Sequence, residues 1–247
     1  MKRATFLIAL IILSAAHLYS QNLTGKELLE KVDANLSSKN RIITSKMIVH
    51  GQRSSRTIEA KTWTEGDNKS FTEYLSPERE AGTKMLKLED KLWMYSPSTD
   101  RTIQISGHML RQSVMGSDLS YEDMMEDSKL TDKYNATITG SETIDERPCW
   151  VVELTANTPD IAYYKRKLWI DKDRFIPLKE ELFAKSGTLL KRIEMKDVVR
   201  MENRWYPKTI IFKDVLKSGE GTEFITENIK FDQKIPDYIF SKASLKR

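Results

Sequence analysis

From residue 44 onward, apolar and polar positions alternate with a period of two, in short runs separated by turn residues. That period places successive side chains on opposite faces of a β-strand. In the first half of the chain the runs are 44–52, 56–64, 69–75, 83–88 and 91–95, with a weaker one at 101–106. In the second half they are 135–144, 150–156, 163–170, 177–183, 189–200, 206–215 and 223–231. Each is rich in β-branched or aromatic residues and ends at turn residues such as Ser76-Pro77, Glu89-Asp90 or Asp145-Glu146, the signature of an antiparallel meander. The pattern predicts a mainly β chain of about eleven strands, curled rather than flat, because so many antiparallel strands with helices to cover do not lie in a plane.

Three stretches depart from the period of two. Thr24 can cap a helix in which Leu28, Leu29, Val32 and Leu36 share one face, with Lys26, Glu27, Glu30, Lys31 and Asp33 opposite. Such an apolar stripe must be laid on a sheet. The run MLRQSVMGSDLSYEDMM, 109–125, opens with apolar Met109, Leu110, Val114 and Met115 and breaks at Gly116. Ser120 and Asp123 then have capping-box spacing, and Tyr121, Met124 and Met125 recur at helical intervals. We read two short helical pieces hinged at Gly116 and inserted into the sheet. A last helical piece, 238–245, follows Pro236.

The N-terminus sets the compartment. Lys2 and Arg3 precede an apolar run at 6–13 that is too short to span a bilayer, and small residues follow it. This predicts a signal peptide over 1–20, cleaved after Ser20, and one exported domain over 21–247. No cysteine follows the apolar run, so no lipid anchor is expected. Removing 1–20 lowers the formal charge from +4 to +2, since it takes away Lys2 and Arg3 and no acid. So balanced a surface offers no case for nucleic acid.

Little catalytic chemistry is visible. Cys149, the one cysteine, sits in an apolar run and reads as a buried thiol. His50 and His108 lack zinc-site spacing, so no metal and no cofactor are expected. There is no Gly-x-Ser-x-Gly elbow and no phosphate-binding Gly-rich loop. The acidic pairs Asp118 with Glu122 and Glu180 with Glu181 read as solvated faces. An enzyme is not expected. What does stand out is large apolar side chains on strands, among them Trp63, Phe71, Trp93, Tyr95 and Trp150. A curved sheet either fills its interior with these or encloses a lipid-sized cavity, and pattern alone leaves both open. Methionine is unbranched and polarizable, so a Met-rich face can mould itself to an irregular ligand.

The segment Met-Gly-Ser-Asp-Leu-Ser-Tyr-Glu-Asp at 115–123, following LWMYSPSTDRTIQIS at 92–106, resembles the signature of the outer-membrane lipoprotein-sorting, LolA-like proteins. The order of elements agrees over most of the chain. The resemblance implies an unclosed β-barrel whose concave face is covered by the N-terminal helix and the central insert, around a cavity for the acyl chains of lipoproteins or lipids. It implies a periplasmic carrier or chaperone, expected to be a monomer, serving outer-membrane biogenesis. An inner-membrane transporter and an outer-membrane acceptor would be its membrane partners. The cavity and lid residues would be Met109, Leu110, Val114, Met115, Gly116, Tyr121, Met124 and Met125, with Trp63, Phe71, Trp93, Tyr95 and Trp150 on the strands. Carriers of this kind often latch the lid with an arginine; Arg53, Arg56 and Arg111 are the candidates, with nothing to choose between them. The alternative is a non-catalytic envelope module that senses a ligand or docks on a transporter or signalling partner.

Overall fold

A computed structural model describes residues 23–51, 54–126, 129–159 and 161–247; the expected signal peptide and Arg53 lie outside the described residues. Helix α1 (Gly25–Leu36) is followed by β1 (Asn40–His50), β2 (Ser55–Glu65), β3 (Lys69–Ser76), β4 (Lys84–Leu88), β5 (Lys91–Ser96) and β6 (Arg101–Ile105). The insert comes next. It carries 3₁₀ turns at Gly107–Arg111 and Val114–Gly116 and the short helix α2 (Tyr121–Met125). Then come β7 (Tyr134–Ile144), β8 (Arg147–Ala156), β9 (Lys165–Asp171), β10 (Pro177–Phe183), β11 (Leu189–Met201), β12 (Arg204–Asp214) and β13 (Thr222–Phe231). Two 3₁₀ turns, Asp237–Phe240 and Lys242–Lys246, end the chain.

All the strands form one antiparallel sheet of 13, in the order β6-β5-β4-β3-β2-β1-β13-β12-β11-β10-β9-β8-β7. The mainly β fold is as expected, and the count of about eleven is corrected to 13. Each periodic run pairs in its own right, including the weak 101–106, which becomes an edge strand needing only one partner. The 238–245 piece forms 3₁₀ turns rather than one helix.

The strand order explains the insert. Because β1 pairs with β13, the middle of the chain is pushed outward, and β6 and β7 become the two edges. They do not pair with each other among the described residues, so the sheet is not a closed barrel. The chain must therefore pass from one edge to the other between β6 and β7. Laid flat, twelve strand spacings of about 4.8 Å would separate those edges by about 58 Å. The insert makes that crossing over one face of the sheet.

Local chemistry sets up both helices. Thr24 and Glu27 close a capping box on α1, and Ser120 and Asp123 close one on α2, satisfying backbone N–H groups that each first turn leaves unpaired. Leu28, Leu29 and Val32 pack on Val152, Leu154, Leu168 and Ile170 of β8 and β9. Asp33, on the same helix, accepts hydrogen bonds from the backbone N–H groups of Leu130 and Thr131. These tie the far end of the insert to α1.

Both faces of the first half of the sheet are buried. One row of directly opposed residues runs Ile42, Trp63, Phe71, Leu86, Trp93 across β1 to β5. Ile235, Phe240 and Leu245 of the C-terminal segment cover it. The neighbouring row, Ile43, Thr62, Thr72, Met85, Met94, points the other way, as period-two geometry requires. That second face carries the insert.

Candidate functional site

The insert lies on an apolar bed. Met47, Ile58, Ala60, Tyr74, Met85, Leu92 and Ile105 from the strands meet Val114 and Tyr121 of the insert. Met94, Met109, Leu110, Met115, Met124, Met125 and Phe224 are packed against them. Seven of the ten methionines belong to this one cluster, so the interface between insert and sheet is built from the most adaptable apolar side chain available. Within it lies a void of about 50 Å³, lined by residues including Met47, Ile58, Ala60, Thr72, Tyr74, Val114, Met124 and Phe224. Sites for small ligands usually have about 300–1,000 Å³, so this space is too small for one.

What fixes the insert is polar and lies around its rim. On one side an Arg56 Nη2–H from β2 donates to the carbonyl of Met115, and Lys87 Nζ on β4 donates to that of Met125 at 2.9 Å. On the other side Asp118 accepts from the backbone N–H of Asp214 at 2.9 Å and from the Thr222 hydroxyl at 3.0 Å. Lys217 Nζ donates to the carbonyl of Ser117 at 2.7 Å. Asp123, already the capping residue of α2, forms an ion pair with Lys191 on β11 and accepts from the Tyr163 hydroxyl. Arg166 on β9 holds both carboxylate oxygens of Glu126 at 2.6 Å.

Burial alone would raise the Asp123 carboxyl, but the Lys191 ammonium beside it holds it below the usual range. Burial pushes the Tyr163 phenol up, helped by Asp123, so it stays a hydrogen-bond donor. Glu180 is 4% exposed and lies 3.7 Å from Arg166. Its burial, with Glu126 nearby, raises its pKa against the pull of Arg166.

Two more clefts open beside the insert. One, of about 660 Å³, runs between the insert and the ends of β11 and β12 and is lined by Arg111, Glu122, Lys133, Tyr163 and Lys191 among others. The other, of about 700 Å³, lies at the Met115–Gly116 break, where both residues have left-handed backbone at φ 51 and 73. The break falls where the sequence placed it, with three helical pieces rather than two.

The structure gathers Met109, Leu110, Val114, Met115, Tyr121, Met124 and Met125 into this one cluster, with Gly116 at its margin. It does not bring Trp63, Phe71, Trp93 and Tyr95 there; they pack on the opposite face with the C-terminal segment. Trp150 sits with the α1 cluster, stacked on Phe175 with ring centroids 5.7 Å apart. Alternation says which residues share a face but not which element covers that face, so nothing in the pattern told the two faces apart. Asp118 and Glu180 are buried, not solvated, at 8% and 4% exposure. Sequence reasoning read these two as solvated and missed Lys191, Arg166 and Glu126, because charge pairing between residues far apart in the chain leaves no local signal. Of the arginines proposed as a latch, Arg56 is the one that reaches the insert's backbone among the described residues. Cys149 is buried, and burial raises its thiol pKa. Among the described residues no group of three or more His, Cys, Asp or Glu could hold a metal ion, and no helix is long and apolar enough to cross a membrane.

No curated protein sequence matches the chain. Among solved structures it is similar to a domain described as an outer membrane lipoprotein-sorting protein from Vibrio parahaemolyticus, at 25% identity and TM-score 0.79 over 90% of this chain and 98% of that one. A LolA superfamily protein from Nitrosomonas europaea is 26% identical, with TM-score 0.72 over 90% and 99% of the two chains. A DUF1329 family protein from Desulfovibrio piger shares the fold at 23% identity and TM-score 0.79, over 90% and 97%. A family model described as "Uncharacterized protein" matches residues 66–247. That match takes in most of the chain, which therefore belongs to this family and has LolA-superfamily and outer-membrane lipoprotein-sorting proteins as its structural neighbours.

Proposed function

We propose that this protein is a periplasmic carrier that shelters the acyl chains of lipoproteins or lipids between the insert and the sheet, for transfer towards the outer membrane. One observation carries the reading: the insert is held by polar contacts at its rim and rests on methionine and aliphatic side chains in between. Polar rim contacts can be exchanged for water at little net cost. Exposing the apolar bed is costly unless another apolar group takes the insert's place. Each CH₂ removed from water supplies about 0.8 kcal/mol, so a chain of ordinary length can meet that cost. On this reading α1 and the insert cover the concave face, Gly116 is the hinge and Arg56 the latch. An inner-membrane transporter would load the carrier and an outer-membrane acceptor unload it. Nothing in the transfer requires a catalytic group or a cofactor.

The test is mass spectrometry of the protein isolated gently from a periplasmic fraction, first native and then denatured. A co-purifying fatty acid, phospholipid or acylated peptide supports the carrier and begins to name its cargo. The void of about 50 Å³ favours a second reading, a docking module with a filled core. A clean apo mass, together with no uptake of a fluorescent fatty acid, would select that alternative.

A further inference from the structure

Arg56 Nε is buried and has no hydrogen-bond partner among the described residues. Buried polar groups are rarely left unpaired, because the desolvation cost is then uncompensated. The rest of the guanidinium is engaged: an Nη2–H donates to the Met115 carbonyl, and Nη1 lies 3.8 Å from Glu80. Arg79 Nε lies 3.8 Å from the same carboxylate, and its side chain is 83% exposed. All three groups line the 700 Å³ cleft at the insert's break. Two guanidiniums against one carboxylate leave one positive charge in excess. Thr83, Ser96 and Ser98 lie along the same cleft, the two serine hydroxyls bonded to each other at 3.0 Å, and Met94, Met115 and Tyr121 form an apolar wall that continues the methionine cluster. The 660 Å³ cleft on the other side has four basic and four acidic side chains and no such excess.

We propose that the cleft at the Met115–Gly116 break is a head-group subsite for a singly charged anion, a carboxylate or a phosphodiester, at the polar end of an acyl ligand. The inference rests on the carrier reading and adds to it the class of head group and the trigger for opening. An oxyanion satisfies an arginine best through two parallel N–H donors. Engaging Nε together with an Nη group draws Arg56 off the Met115 carbonyl, so the anion that docks the ligand also releases the insert over the space its tail will fill. Met115 and Gly116 are already in left-handed backbone, so the segment gives way at the point where the latch was attached.

The test is calorimetric titration of the mature chain with decanoate, with decanol of the same length, and with decanoyl lysophosphatidylglycerol, each below its aggregation limit. Wild type is expected to bind the anionic ligands about tenfold or more tighter than decanol, the equivalent of one charge-assisted contact. Whichever anion binds more tightly identifies carboxylate or phosphodiester as the natural head. Arg56→Gln should abolish the preference while decanol still binds, and Arg56→Lys should restore part of it. Arg79→Gln, at an exposed position, should lower it several-fold and keeps the test informative should Arg56 variants fold poorly. Amide exchange at Met115 to Ser120 should rise on adding dimethyl phosphate at millimolar concentration. Equal binding of decanoate and decanol, or a preference unchanged in both Gln variants, overturns the subsite and leaves the carrier standing. Failure of wild type to bind any of the three overturns both.

Discussion

Lys191 on β11 forms an ion pair with Asp123, the carboxylate that also closes the capping box of α2. One side chain therefore both starts the helix and fastens it to a strand from the other half of the sheet. Its folded pKa is depressed, so its contribution is present above the ordinary carboxylate value of 3.8 and is lost as pH falls through the folded value. Protection of the α2 amides, relative to their intrinsic exchange rate, should be high at neutral pH and fall only as the pH drops below 3.8. In Asp123→Asn it should be low throughout, with a stability loss of roughly 3 kcal/mol from the stranded Lys191. High protection in that variant would show that the pair does not hold the insert.

Met124→Asp tests the bed beneath the insert, since Met124 lines the small void. Binding of a fluorescent fatty acid should fall about tenfold or more, because a carboxylate in an apolar space must be desolvated or must drive the space open. The melting transition should remain cooperative. If the variant unfolds outright while the folded remainder binds normally, the insert is core and not a lid.

The opposite face gives the reverse expectation. Leu86 is fully buried between Phe71 and Trp93, under the C-terminal segment. Leu86→Ala should cost about 2–5 kcal/mol, seen in the denaturation midpoint, and leave fatty-acid affinity unchanged. A large loss of affinity at full folding would place ligand on this face instead.

Glu180 is a carboxylate whose folded pKa is raised by burial. Its sign is opposite to that of Asp123: the stabilisation is present below the unfolded value of 4.5 and lost as pH rises through the folded value. At neutral pH the buried charge is a cost, so Glu180→Gln should melt no lower than wild type at pH 7 and lose its advantage as the solution is acidified. A clear fall in melting temperature at pH 7 would show that Arg166 depends on Glu180 as well as on Glu126.

Much of this molecule was determined locally, and so was legible in the sequence. The capping boxes at Thr24 with Glu27 and Ser120 with Asp123 depend on residues three apart. The strands follow from a period of two, and the break at Gly116 from a residue without a Cβ where the backbone turns left-handed. Tertiary structure decided everything that depended on register and strand order. Pairing of β1 with β13 sent β6 and β7 to the edges and drew the insert across the face between them. Register sent Trp63, Phe71 and Trp93 to one face and Met85 and Met94 to the other. The partners of Asp123, Glu126 and Asp118 come from strands 40 to 104 residues away along the chain. A one-residue shift in register exchanges the faces and leaves the pattern of apolar and polar positions unchanged. Pairing energy summed over the whole sheet, which no single segment carries, selects among those registers.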